Sequence, residues 1–229
     1  MQSTRDVFDQ RCDEINSFLG ALSDLYALND QPECSYSYTD DNFLKILKAN
    51  SILMIYNLVE ASISSGINEI YDLVHSQGLT YSNVRKEIQE IWFTFKFNQV
   101  YDPNAHYNTY KAKAYEIVNS IIMNNTIELN QKAMGINGNL DANQIRLICK
   151  RNGIHYSVDP ACKGGEALDD VKRKRNDLAH GTVSFLECGR SYSLNDINII
   201  NVETTVFLDC ILQGMQDYYA QQSFLAVKP

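Results

Sequence analysis

The stretch that most constrains the fold is "NFLKILKANSILMIYNLVEASISSGINEIYDLV", residues 42–74. Phe43, Leu44, Ile46, Leu47, Ile52, Leu53, Ile55, Tyr56, Val59, Ile63, Ile67, Ile70 and Leu73 recur at three- and four-residue steps, the helical period. They cover most of the girth of that helix, so little of it can face water and other elements must surround it. The helix is predicted from about residue 41, capped by Thr39 or Asp40 and ended at Gly78. A chain of 229 residues can supply those surroundings and bury a sizeable core. Asn57 and Glu60 interrupt the most apolar run, "SILMIYNLVEASI", which is too short to span a bilayer, so no membrane contact is expected.

The remaining chain reads as further helices. Val7, Ile15, Phe18, Leu19, Leu22 and Leu25 mark one over residues 5–28. Thr80 or Ser82 caps another holding Val84, Ile88, Ile91, Trp92 and Phe95. Tyr110 to Met134 continues the pattern with Ile117, Ile121, Ile122 and Ile127 inward. Asp141 caps the short "ANQIRLICKRN", and Gly153 stops it. A helix from about Glu166 to Ala179 ends at Gly181. Ser193 or Asn195 opens the last, Asp196 to Tyr219. Between these two, "VSFLECGRSYSL" alternates loosely and reads as an extended loop or a short hairpin. With no linker, repeat or low-complexity tract, residues 1–229 are expected to form one all-α domain, a bundle on the long central helix.

Composition narrows the function classes. The net charge of −8 repels polyanions overall, so any nucleic-acid contact needs a local basic patch. The polar start "MQSTRDVFDQRCDEINSF" has no apolar core of an export signal. With that, Cys12, Cys34, Cys149, Cys162, Cys188 and Cys210 read as reduced thiols of a cytoplasmic protein. No Cys or His lies at ligand spacing from another, so neither a metal nor a cofactor is expected. The phosphate-cradling glycine loops G-x-x-x-x-G-K and G-x-G-x-x-G are absent. Asn124-Asn125-Thr126 matches a glycosylation sequon, which means nothing without secretion.

Several candidate sites have plain structural explanations. "IWFTFKF" (91–97) offers aromatics for stacking on bases, but Trp92 and Phe95 share helical spacing with Ile88 and suit a core. Asp40-Asp41 and Asp169-Asp170 sit near helix starts, where the dipole favours carboxylates. His75, His106 and His155 stand alone near element ends. Glu60, on a turn flanked by Tyr56, Leu58, Val59 and Ile63, must find a cation or donors. Its expected role is structural partner to an Arg or Lys of another helix, or orienter of a catalytic group.

"KRKRNDLAHG", residues 172–181, is the richest stretch. Arg175 and His180 are five residues apart, so on a straight helix they point about 140° from each other. They can act together only if the helix ends between them or if a second chain completes the site. Such a pair suits metal-free RNA cleavage. An imidazole with an ordinary pKa near 6.5 exchanges protons with a ribose 2′-hydroxyl or a 5′-oxygen, and a guanidinium clamps the phosphate. Lys172, Arg173 and Lys174 would draw in the RNA backbone. Alternatively, these cations merely complement a helix C-terminus.

"RNDLAHG" (Arg175–Gly181), followed by "SFLECGRSYSLNDI" (184–197), resembles the signature of the HEPN superfamily, in a branch of prokaryotic toxin–antitoxin and phage-defence proteins. The likeness is sharpest over residues 137–220; before that it is one of helical layout, including "NLVEA". The resemblance implies a helical bundle that forms a homodimer with both motifs in one cleft. It implies a metal-independent endoribonuclease with Arg175 and His180 catalytic and Asn176 the polar member of the motif. An antitoxin or defence partner protein is implied as well. In one branch a Tyr two residues after the His is modified by a nucleotidyltransferase; here that position is Thr182, so no such silencing carries over. The alternative is a non-catalytic HEPN dimerisation or interaction module.

Overall fold

The computed structural model describes residues 1–29, 41–98, 107–135 and 138–226. The order is α1 (Gln2–Asn29), α2 (Asp41–Ser76), α3 (Lys86–Asn98), α4 (Tyr107–Ile122), α5 (Gln131–Met134), α6 (Ala142–Asn152), α7 (Ala167–Ala179), α8 (Phe185–Arg190) and α9 (Leu194–Ala220). A single 3₁₀ turn precedes α3 (Tyr81–Asn83), and a six-residue segment kinked at Lys163 and Gly164 precedes α7 (Pro160–Gly165). Among the described residues no strand forms, only the bridges Thr80–Thr126 and Val84–Leu225. The fold is all-α.

The central helix is where the periodicity placed it. α2 runs for 36 residues and packs against α1, α7, α8 and α9. Ile52, Ile55, Leu58, Val59, Ile63 and Ile67 are fully buried. By length and composition α2 matches a bilayer-crossing helix, with an 18-residue window of mean hydropathy 1.2, yet 56% of that window is buried within the chain. It is a core helix. Trp92 and Phe95 also go inward with Ile88, as their spacing suggests.

Besides the third helix, which opens at Lys86 rather than at Thr80 or Ser82 because Val84 is extended (φ −103°, ψ 155°) after the separate turn Tyr81–Asn83, two elements differ from the sequence reading. The fourth helix ends at Ile122 rather than continuing to Met134. Asn124 takes a left-handed φ of 53°, and the N–H of Asn125 closes back on the Ser120 carbonyl. The chain then runs extended, and the Ile127 N–H donates to Leu79 O at 2.8 Å. Ile127 is buried as expected, but Ile122 is 68% exposed. Secondly, "VSFLECGRSYSL" contains a helix, α8, not an extended loop or hairpin. Ser184 and Glu187 form a capping box: Ser184 Oγ accepts from the Glu187 N–H, and the Glu187 carboxylate accepts from the Ser184 N–H. Ser193 and Asp196 repeat the device at the start of α9.

Asp141 and Gly153 cap α6 as expected; Asp141 Oδ1 accepts the Gln144 N–H at 2.7 Å and Gly153 has φ 71°. Thr39, Asp40, Cys34 and His106 lie outside the described residues.

Candidate active site

α7 carries the motif and is held on two sides. At its start, Asp170 accepts from the Tyr192 hydroxyl and pairs with Arg173. The Tyr192 carbonyl in turn accepts from the buried Lys48 Nζ of α2. Burial, then the neighbouring Asp170, pushes the Tyr192 phenol well above its ordinary range, so it remains a donor. On the other side Lys172 pairs with Asp141. Burial opposes the charge on Asp141, but Lys172 and the Gln144 N–H prevail and hold that carboxyl below its usual range. Of the three cations expected to meet RNA, Lys172 and Arg173 are thus engaged with carboxylates. Lys174 carries no ion pair among the described residues.

Arg175 is fixed from several directions. Its guanidinium lies over the Tyr56 ring, 4.6 Å from the centroid. Nη1 donates to Gly138 O at 3.2 Å and to Asn176 Oδ1 at 2.9 Å, while Nη2 stands 3.9 Å from Glu60 Oε2. Glu60 is therefore the partner of an arginine on another helix, and that arginine is the motif's own. Asn176 also donates through Nδ2 to Asn139 Oδ1 at 2.8 Å. The motif asparagine thus touches both the arginine and the loop before α6.

Tyr56 organises this cage. It is completely buried, and its hydroxyl donates to Gly138 O (2.8 Å) and accepts from the Leu140 N–H (3.1 Å). Burial first, opposed by the Leu140 N–H, pushes its phenol up to about 12, so the proton stays at neutral pH. Gly138 has φ 72°, a conformation that side chains resist, and a Cβ there would come 3.6 Å from Glu60 Oε1 and 3.8 Å from Arg175 Nη2. Tyr56→Phe leaves the Leu140 N–H without its partner and the Gly138 C=O with Arg175 alone. We expect it to lower unfolding stability by about 1–3 kcal/mol. An unchanged urea midpoint would show that the hydroxyl does not hold this loop.

Helical periodicity places Tyr56 only among core residues and singles out neither Gly138 nor Asn139. The available signal was a tyrosine inside an Ile/Leu face, since a buried hydroxyl seeks partners.

His180 is set by the end of α7. It is the C-cap residue, with φ −89° and ψ −3°. Gly181 follows with φ 69°; its N–H reaches Leu178 O, and the Thr182 N–H reaches Asp177 O at 2.9 Å. This is a Schellman closure, and Gly181 supplies the left-handed residue it needs. The imidazole is exposed and makes no hydrogen bond or ion pair among the described residues. Arg175 points to α2 and the 138–140 loop while His180 stands at the open end of the helix. No hydrogen bond or ion pair among the described residues joins them.

Chemically, this is a cation held by several partners yet still 29% exposed, with an imidazole unpartnered among the described residues five residues on. No group of three or more His, Cys, Asp or Glu side chains suited to a metal occurs among the described residues. Cys12, Cys149, Cys162, Cys188 and Cys210 are free thiols. Burial pushes the Cys149 thiol up to about 12, which makes it a packing group rather than a nucleophile.

A family model described as MAE_28990-like HEPN matches residues 2–224. No curated protein and no solved structure matches the chain.

Proposed function

The chain belongs to the HEPN superfamily, in the MAE_28990-like family whose model spans residues 2–224, and from that premise we propose that it is a metal-independent endoribonuclease. Its role is that of the toxin or effector of a toxin–antitoxin or anti-phage defence system, restrained by a partner protein. The observation that carries the reading is the contrast between Arg175, caged by Tyr56, Glu60, Gly138 and Asn176, and His180, bare at a helix end five residues later. A preorganised guanidinium stabilises charge on a pentavalent phosphorus without reorganising at the moment of reaction. A free imidazole is what proton transfer requires.

In the proposed step the ribose 2′-oxygen attacks the adjacent phosphorus, forming P–O2′ as P–O5′ breaks. One His180 takes the 2′-hydroxyl proton, and the His180 of a second copy protonates the leaving 5′-oxygen. The products are a 2′,3′-cyclic phosphate and a 5′-hydroxyl. Arg175 holds the non-bridging oxygens, and Lys174 is the motif cation left to meet the RNA backbone. A homodimer supplies both imidazoles, which a single chain does not. Because side chains alone carry the chemistry, cleavage of mixed RNA should continue in excess EDTA. A strict requirement for Mg²⁺ would sink the mechanism.

A second reading, a non-catalytic interaction module, has its own observation. α4 exposes Tyr107 (78%), Tyr115 (73%), Val118 and Ile122 along one stripe, with Met123 (65%) beside it. Apolar surface of that kind marks contact faces. Incubating purified protein with RNA, beside the His180→Ala variant, separates the two readings.

A further inference from the structure

A cleft of about 1030 Å³ opens between α3 and α6, with no described residue of α7 in its lining. Its apolar and aromatic lining comprises Ile91, Ile154, Tyr156 and Leu147, the last 43% exposed. The volume lies at the top of the range for small-molecule pockets, about 300–1,000 Å³, and suits a longer ligand.

Its charges are unevenly engaged. Glu87 is clamped by Arg85, with Nε–Oε2 at 2.7 Å and Nη2–Oε1 at 2.8 Å, and Glu90 lies 3.7 Å from Lys86. Arg146 donates to Asn143 and Gly164 and covers the Phe207 ring. Lys150 and Arg151, both exposed in the last turn of α6, have no ion pair among the described residues. The free charge of the cleft is therefore positive, on a chain whose net charge is −8. Such a local reversal selects a polyanion over the acidic surface around it.

The cleft also lies close to the motif. The Arg151 guanidinium sits beside Gly135: a Cβ on that glycine would come 3.9 Å from Nη1. Gly138, three residues on, receives the Arg175 hydrogen bond. Three peptide steps span at most about 11 Å, so with the contacts at either end the Arg151 and Arg175 guanidiniums lie within about 22 Å, a few nucleotides of extended backbone. We infer that the α3–α6 cleft holds the single-stranded RNA that flanks the scissile phosphate, with Lys150 and Arg151 on its phosphates and bases against Tyr156, Leu147 and Ile91.

Stacked, splayed bases need apolar and aromatic side chains beside basic ones, which this cleft has and a smooth basic surface lacks. The inference rests on the endoribonuclease reading, but its test does not use cleavage. The probe is a fluorescent 2′-O-methyl oligonucleotide of about 12 residues, which has no 2′-hydroxyl to react, titrated against the full chain by anisotropy. The charge-reversed K150E/R151E should bind it at least tenfold more weakly. Its salt dependence should flatten by about 1.4, the value for two phosphate contacts on a single strand. K150Q/R151Q should show a smaller loss, and R11E/K111E, the same charge change on α1 and α4, should bind as wild type. Unchanged affinity and slope in K150E/R151E would overturn the inference. So would equal competition by duplex RNA, or by polyglutamate, which would mark a protein site. His180→Ala, which is outside the cleft lining, should bind the probe as the wild type does while losing cleavage; if the wild type binds but never cleaves, the nuclease reading alone fails.

Discussion

His180→Ala should lower RNA cleavage by about 10²–10⁴-fold, the range of a positioned acid–base group, and leave the melting temperature where it was. The two halves of that expectation have different origins. Activity falls because the imidazole is the proposed carrier of the 2′-hydroxyl proton and, from a second copy, of the proton to the leaving oxygen. Stability holds because His180 is exposed, has no side-chain partner among the described residues, and caps α7 through backbone bonds alone. Arg175→Ala should cost about 10²–10³-fold, as removal of one preorganised donor does elsewhere. It should also cost some stability, because Arg175 is bonded to Gly138 and stacked on Tyr56. Arg175→Lys is the sharper comparison: it keeps the charge but loses the planar fork and the ring contact, so cleavage should remain depressed. Full activity in His180→Ala would remove the nuclease assignment and favour the interaction module.

The parts of the fold that were legible from sequence are those where one local rule decided the outcome. α2 announced itself by apolar residues all around, α6 by Asp141 and Gly153, and the end of α7 by Gly181. α4 was overextended because Ile121, Ile122 and Ile127 keep an apolar rhythm that Asn124 breaks with a left-handed residue. α8 was missed for the opposite reason: six residues are too few to show a period, and Gly189 dilutes the helical signal. The capping box at Ser184 and Glu187 was the clue that outweighed it. Arg175 and His180 were visible as a spaced pair. Their setting was not, because the Tyr56–Gly138 bond joins positions 82 residues apart. Glu60 is intermediate: its need for a cation was readable from its neighbours, but the identity of that cation required the fold.

Gly189→Ala should be strongly destabilising although it replaces the poorer helix former with the better one. In an open helix that exchange gains about 0.5–1 kcal/mol. Gly20, inside α1, provides the matched control, since a Cβ there meets nothing within 4 Å. Gly20→Ala should therefore raise the urea midpoint. Gly189 sits where α8 crosses α2, and a Cβ would lie 1.8 Å from the Lys45 carbonyl oxygen and 2.5 Å from its carbon. Those are backbone atoms in the first turns of the central helix, so no rotamer change relieves the clash. Either α8 lifts off α2 or α2 deforms. Overpacking typically costs about 1–3 kcal/mol, and with a rigid neighbour the loss belongs at or beyond the top of that range. The consequence reaches the site, because only four residues separate His180 from the start of α8. If α8 anchors the chain leaving the motif, Gly189→Ala should lose stability and cleavage together, and low temperature should restore part of both. A Gly189→Ala chain that melts with the wild type would mean that the α2–α8 crossing is looser than its geometry implies.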